Sequence, residues 1–228
     1  MELLPAKSRK SESRQGRGGR IDIKSGAHMP DKQRTANVTR TTRETDISIT
    51  MSIDGAAIHK LDTGIPFLNH MLELFTKHGL FDLDVKAKGD LDVDIHHTNE
   101  DVGITLGQVL LKALGDKAGI RRYGFFSVPM DEALIKVSLD ISGRPSLHIH
   151  KNRRVTFSRL ENYSFHDAME FMKAFIQHAG INMHVEVLSG QDSHHIIEGV
   201  FKATARALDA ATTLDTRVKG VPSTKGIL

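Results

Sequence analysis

The sequence predicts an α+β fold made of two copies of one strand–helix–strand–helix unit, with helices on one face of mainly antiparallel sheet. Three observations predict it. Apolar residues alternate with period two in segments that end at turn residues. Helical stretches bounded by Pro, Ser and Gly lie between those segments. The second half also repeats the first at a nearly constant offset.

In chain order, Ile47, Ile49, Met51 and Ile53 alternate and stop at Asp54-Gly55, a strand. Pro66 opens a helix that runs to His78 and closes at Gly79. Phe81, Leu83, Val85 and Ala87 alternate up to Gly89. A second helix is expected from His97 to Leu114, stopped by Gly115 and Gly119. Ile135, Val137, Leu139 and Ile141 give the next strand, ending at Gly143. Shorter strands are expected near 146–150 and 153–158, then a helix from Ser164 to His178. Ile181, Met183, Val185 and Val187 form a strand, and a last helix runs from Ser193 to about Ala211.

The repeat holds residue by residue. Glu44 to Gly55 matches Glu132 to Gly143, and Phe81, Leu83 and Val85 match Ile181, Met183 and Val185. His70 falls on Glu170, and His96-His97-x-x-Glu100 falls on His194-His195-x-x-Glu198. The domain is expected to span 34–228, with repeats of about 34–125 and 126–228.

The formal net charge of +3 belongs to the first 30 residues, where seven Lys and Arg face three Asp and Glu. The remainder carries −1. Residues 1–33 are therefore expected to be a basic, disordered tail, and Ser25-Gly26-Ala27-His28-Met29 has the look of an expression-vector junction. A domain with no basic surplus argues against nucleic acid as the partner. Cysteine is absent, which excludes disulfides and thiolate metal sites and fits a reducing compartment. No apolar run reaches the ~20 residues of a membrane span.

The chemistry lies in the doubled His-His-x-x-Glu motif. Residues i and i+4 share a helix face, so His96 converges with Glu100, and His194 with Glu198. The middle residues, His97 and His195, point about 100° away and reach a different ion. A duplicated fold then suggests an exchange. One metal takes His194, Glu198 and His97; the other takes His96, Glu100 and His195. His70 and Glu170, on polar helix faces at matching repeat positions, would each complete one site. Imidazole and carboxylate ligands without thiolate suit Mn²⁺, with zinc or iron as alternatives. Lys202, four residues beyond Glu198, lies on the same face, and Arg122 and Arg144 stand beside strand ends. Ser223-Thr224-Lys225-Gly226 offers hydroxyls and a Lys to an anion.

Several stretches carry a family resemblance: Asn69-His70-Met71-Leu72, Lys88-Gly89-Asp90, His96-His97-Thr98-Asn99-Glu100-Asp101 and Pro129-Met130-Asp131-Glu132. Asp140-Ile141-Ser142-Gly143-Arg144-Pro145, Ser193-His194-His195-Ile196-Ile197-Glu198 and Pro222-Ser223-Thr224-Lys225-Gly226 add to them. In these, and over 34–228 as a whole, the chain resembles the imidazoleglycerol-phosphate dehydratases of histidine biosynthesis.

The resemblance implies a duplicated ribosomal-protein-like two-layer fold and two Mn²⁺ per active site. It also implies a cytoplasmic homo-oligomer of 24 chains with active sites between subunits. Imidazole glycerol phosphate would be held by Glu44, His70, Arg122, Arg144, Lys202, Ser223, Thr224 and Lys225. The catalytic residues would be Glu44, Glu100 and Glu198, with Glu44 as the proton shuttle. Two departures stand out. Asp94-Ile95 replaces the Asp-Asp common before the first His pair, and Glu170 occupies a position that is His in some members. Metal-dependent hydrolysis of a phosphate ester is the alternative reaction that the ligand set allows.

Overall fold

The computed structural model describes residues 34–158 and 160–228; the expected tail over 1–33 lies outside the described residues. Twelve elements follow one another: β1 (Thr35–Thr41), β2 (Thr45–Ser52), β3 (His59–Asp62), α1 (Pro66–Gly79), β4 (Asp82–Gly89), α2 (His96–Leu114), β5 (Tyr123–Met130), β6 (Ala133–Asp140), β7 (Ser146–Lys151), α3 (Phe165–Ala179), β8 (Asn182–Ser189) and α4 (Ser193–Thr212). They form two four-stranded sheets, ordered β1-β2-β4-β3 and β5-β6-β8-β7. Within each sheet two pairings are antiparallel, while β3 with β4 and β7 with β8 run parallel.

The duplication is visible in the pairing register. Ile49 faces Val85 and Val137 faces Val185, with the expected offsets on both strands. The parallel pairs repeat it as well: His59 faces Leu83 and Leu147 faces Met183.

Every strongly alternating segment named above is a strand whose apolar residues are buried, among them Ile47, Ile49, Met51, Val85, Ile135, Val137 and Val185. Three strands were not expected: β1, β3 and β5. All three are edge strands. An edge strand buries less and need not alternate; β1 turns inward only Ala36, Val38 and Arg40. β5 carries Gly124 and Pro129, which also mask the pattern. The strand expected near 153–158 does not form. The Asn152 carboxamide oxygen accepts the N–H of Arg154 and its carbonyl accepts that of Val155, which turns the chain after β7.

The helices join the halves. α2 lies across β1 and β2, and α4 across β5 and β6. α3 then packs on α2, and α1 on α4, so each repeat is covered by helices of both. Phe75 of α1 meets Phe175 of α3 edge to face at 6.0 Å, two residues equivalent in the repeat. The α2–α3 crossing is close because α2 presents Gly103 and Gly107. A Cβ on Gly103 would lie 2.7 Å from the Phe171 carbonyl oxygen, and one on Gly107 would run into that of Phe175.

Helix ends follow local chemistry. Ser164 and Asp167 form a reciprocal capping box on α3, and Asp192 caps α4 by accepting the His194 N–H at 2.8 Å. α3 ends on Gly180 in the left-handed region, φ 71°. α1 ends the same way one residue later than expected, on Leu80 with φ 57°, a residue half exposed and carrying a Cβ there.

Two stability predictions follow. Gly107→Ala forces a methyl into the Phe175 carbonyl and should cost about 1–3 kcal/mol; an unchanged denaturation midpoint would show that the helices can part freely. Leu80→Gly relieves left-handed strain worth about 1–2 kcal/mol against a glycine entropy cost of about 0.5–1 kcal/mol. A small rise in the thermal midpoint is expected, and a fall would mean that the Leu80 side chain holds contacts of its own.

Candidate metal centre

Three of the expected ligands meet. Capping by Asp192 and a pair of bonds between Ser193 and Ser158 fix the start of α4, which sets His194 in its first turn. Glu198 follows one turn on, and His194 Nε2 lies 3.3 Å from its Oε1. α1, packed against α4, brings His70 Nε2 to 2.9 Å from the same oxygen. Donor atoms of His70, His194 and Glu198 all lie within 4.8 Å of one another, a group that can hold a metal ion. Glu198 is buried, while both imidazoles are partly open.

The other carboxylate oxygen, Oε2, accepts a hydrogen bond from Lys202 Nζ at 2.8 Å. Burial works to raise the Glu198 pKa. The bonds from Lys202, His70 and His194 outweigh it and hold the carboxyl below its ordinary value. Lys202 thus occupies Oε2 and leaves Oε1 facing the two imidazoles. Burial and the nearby Lys202 and Arg206 likewise lower the pKa of His78, two turns beyond His70 on α1.

The middle histidines turn away, as the helical spacing requires. His195 Nδ1 sits 2.7 Å from Glu132 Oε2, and His97 Nδ1 sits 3.0 Å from Asp90 Oδ2. Each carboxylate fixes its ring at Nδ1 and turns Nε2 outward, where that of His195 meets the exposed Asp131 carboxylate at 3.5 Å; a carboxylate on the far nitrogen prepares an imidazole for a metal. Both rings are raised above the ordinary histidine pKa, chiefly by those hydrogen bonds. Glu132 is lowered to about 2 because it accepts the Asp192 N–H, the His195 ring and the Gln191 N–H. Asp90 and Glu132 were not among the expected site residues. The signal was available: Glu132 is the repeat mate of Glu44, which itself lies 3.8 Å from His97 Nδ1.

Within one chain the expected exchange of middle histidines is not made. Among the described residues, His97 does not join His194 and Glu198, and His195 does not join His96 and Glu100. The first-repeat motif is also looser. His96 Nε2 stands 3.6 Å from Glu100 Oε2, a carboxylate half open to solvent where Glu198 is buried, and Glu170 pairs with Lys173 at 3.2 Å. Ile95, where an acidic residue was noted as common, packs against the core at the start of α2.

Glu44 lies in the β1–β2 turn, its N–H bonded to the Thr42 hydroxyl at 3.1 Å. The turn is braced from below by buried Asp101, which accepts Thr45 Oγ1 at 2.6 Å and Arg40 at 2.9 Å. The anion-binding candidates fall into two groups. Lys202 is at the metal cluster. Arg122 grips Asp140 through two bonds of 2.6 and 3.0 Å and donates to the Pro222 carbonyl at 2.9 Å, so it anchors the segment carrying Ser223, Thr224 and Lys225. Arg144 is exposed.

A cavity of about 520 Å³ opens beside the cluster, lined by Ile65, Pro66, Phe67, Tyr163, His70 and His194 among others. Tyr163 was also not expected as a site residue. It stacks on Phe67 at 4.9 Å and donates its buried hydroxyl to Asn99 at 2.8 Å; burial raises its phenol above the ordinary range. Phe67 in turn meets the His194 ring edge-on at 5.1 Å.

Known proteins are similar to this chain in sequence and in fold. The family model for imidazoleglycerol-phosphate dehydratase matches residues 63–208. The chain is 56% identical to the imidazoleglycerol-phosphate dehydratase of Thermoanaerobacter pseudethanolicus and 52% to that of Bacillus subtilis, each over 86% of this chain and all of the relative. The crystal structure of the Staphylococcus aureus enzyme superposes with a TM-score of 0.71 at 37% identity, covering 79% of this chain and 99% of that one. The Pyrococcus furiosus structure gives 0.71 at 34%, covering 84% and 100%. With two sheets in the same duplicated register and both motifs in place, the chain belongs to the imidazoleglycerol-phosphate dehydratase family.

Proposed function

We propose that this chain removes water from imidazole glycerol phosphate to give imidazole acetol phosphate, a hydro-lyase step of histidine biosynthesis, and that it does so with two Mn²⁺ per active site. The observation that carries the reading is the convergence of His70, His194 and Glu198 at the mouth of a cavity, in a chain of this family. The size of the cavity suits a small ligand. The donors fit the ion: two imidazole nitrogens and one carboxylate oxygen, with no thiolate, are a borderline-to-hard set.

When bound, the metal supplies Lewis acidity to the ring nitrogens of the substrate. The rest falls to the chain. His70, His194 and Glu198 hold one ion, and Lys202 keeps Glu198 charged and oriented. His97 and His195, each braced by a carboxylate, present an outward nitrogen, and we assign them to ions shared with neighbouring copies. His96, Glu100 and Glu170 would complete the second site only across such a contact. This supports an assembly in which no single chain owns a whole site; its size of 24 copies is what the family resemblance implies.

Glu44 takes the proton from the carbon next to the one that loses hydroxyl. That hydroxyl and one proton make up the water lost, and the enol that remains becomes the ketone by giving up its hydroxyl proton as the carbon that lost hydroxyl takes one. Glu44 lies on the same side of His97 as Asp90, on a turn stiffened by Asp101. The phosphate is taken by Arg144 and by Lys225, Ser223 and Thr224, the last three on a segment that Arg122 positions. Product analysis separates this from ester hydrolysis: dehydration gives a ketone and no free phosphate, whereas release of inorganic phosphate would mark a hydrolase.

Glu44→Gln keeps shape but cannot take a proton, so kcat should fall by roughly 10²–10⁴ with KM little changed. Lys225→Ala should raise KM instead. Wild-type kcat in Glu44→Gln would remove Glu44 from the reaction.

Metal loading should depend on pH in a definite direction. His97 and His195 have raised pKa values, so they hold protons at a pH where free histidine is neutral. A proton and an ion compete for the same nitrogen. Mn²⁺ affinity, followed by equilibrium dialysis, should therefore begin to fall while the pH is still above about 6.5. Affinity that stays flat down to about pH 5 would exclude histidine ligation.

A further inference from the structure

The outer face of the second sheet carries four metal-ligand residues on two adjacent parallel strands. His148 and His150 are two apart on edge strand β7 and point to the same side. On β8, His184 stands directly opposite His148, and Glu186 directly opposite His150. The burial alternation of β8 places His184 and Glu186 on the face away from the helices, while Met183, Val185 and Val187 face the core. The three imidazoles lie in a stack: His148 and His184 have centroids 4.5 Å apart at 24°, and His150 and His184 5.7 Å apart at 10°. Lys136 of β6 pairs with Glu186 at 2.9 Å, and Ser138 stands opposite His184.

The first repeat has the same four positions, and it fills them differently. There Lys60 faces Asp84 and Asp62 faces Lys86, each opposite residue bearing the opposite charge. That is the ordinary way to finish a solvated sheet face. In the second repeat no such pairing links the two strands; three of the four positions are histidine and the fourth is glutamate. Stacked neutral imidazoles gain little that charge pairs do not. What they offer is three imidazoles side by side, whose nitrogens reach one ion once the rings turn out of the stack.

We propose that His148, His150 and His184 form a transition-metal site, with Glu186 beside it, on the sheet face opposite the catalytic helices. A His-x-His pair on one strand with a third His on the neighbouring strand projects three imidazoles to one point, as a tetrahedral Zn²⁺ requires. His148 and His150 are exposed, so their rings can turn from the stack to converge. Glu186 can leave Lys136, an exposed pair of small worth, to neutralise the bound charge. The ligand class is a late first-row divalent ion that favours imidazole, Zn²⁺ first.

The test is a difference measurement on the full chain, already loaded with Mn²⁺. Zn²⁺ binding is counted by equilibrium dialysis for the wild type and for His148→Ala/His150→Ala, with dehydratase activity as the check on folding. The wild type should bind one more Zn²⁺ per chain than the double variant, at unchanged activity. Replacing Zn²⁺ by Co²⁺ should add intense tetrahedral visible bands in the wild type that are absent from the double variant and from His184→Gln. Equal Zn²⁺ counts, or Co²⁺ spectra that do not differ, would overturn the proposal.

Discussion

Everything in this molecule depends on how closely two helices from different repeats approach. Gly103 and Gly107 let α2 rest its backbone against that of α3, and a single added methyl would meet a carbonyl oxygen. Because α2 also lies on its own sheet, this crossing sets the separation of the two sheets and with it the placement of α1 on α4. The candidate site inherits that placement. His70 belongs to the first repeat and Glu198 to the second, and they touch only because the halves interlock. Packing and chemistry are therefore not separate layers of the design.

Glu198 is where they meet. A carboxylate this buried is costly unless every oxygen is used. One oxygen is held by Lys202 from the same helix and the other by two histidines. The same set that makes the charge tolerable makes a ligand group. The first repeat shows what happens without it. Glu100 is open to water, its lysine counterpart is missing at i+4, where Ile104 stands, and His96 is held loosely. One half of the duplication carries a group that can take an ion by itself, and the other half carries donors that need company.

Much of this was legible in the sequence, and the unread parts have physical causes. Strands β2, β4, β6 and β8 are central, buried on one face, and alternate plainly. Edge strands β1, β3 and β5 owe their pairing to neighbours rather than to their own pattern, so periodicity passed over them. The helix spacing correctly turned His97 and His195 away from their partners. It did not say what they turned toward, because Asp90 and Glu132 arrive from loops whose course only the fold determines. Tyr163 lies in a loop as well, and a lone tyrosine carries no motif. The family resemblance supplied residue roles that spacing alone does not give, and the left-handed Leu80 was hidden behind the more obvious Gly79.

The chain contains no tryptophan and only two tyrosines. Tyr123 lies on the surface, whereas Tyr163 is buried, stacked on Phe67 in the wall of the cavity. The near-ultraviolet spectrum of this protein is therefore divided between one solvent reference and one chromophore set beside His194. Occupation of the cavity can be followed optically on the unmodified chain.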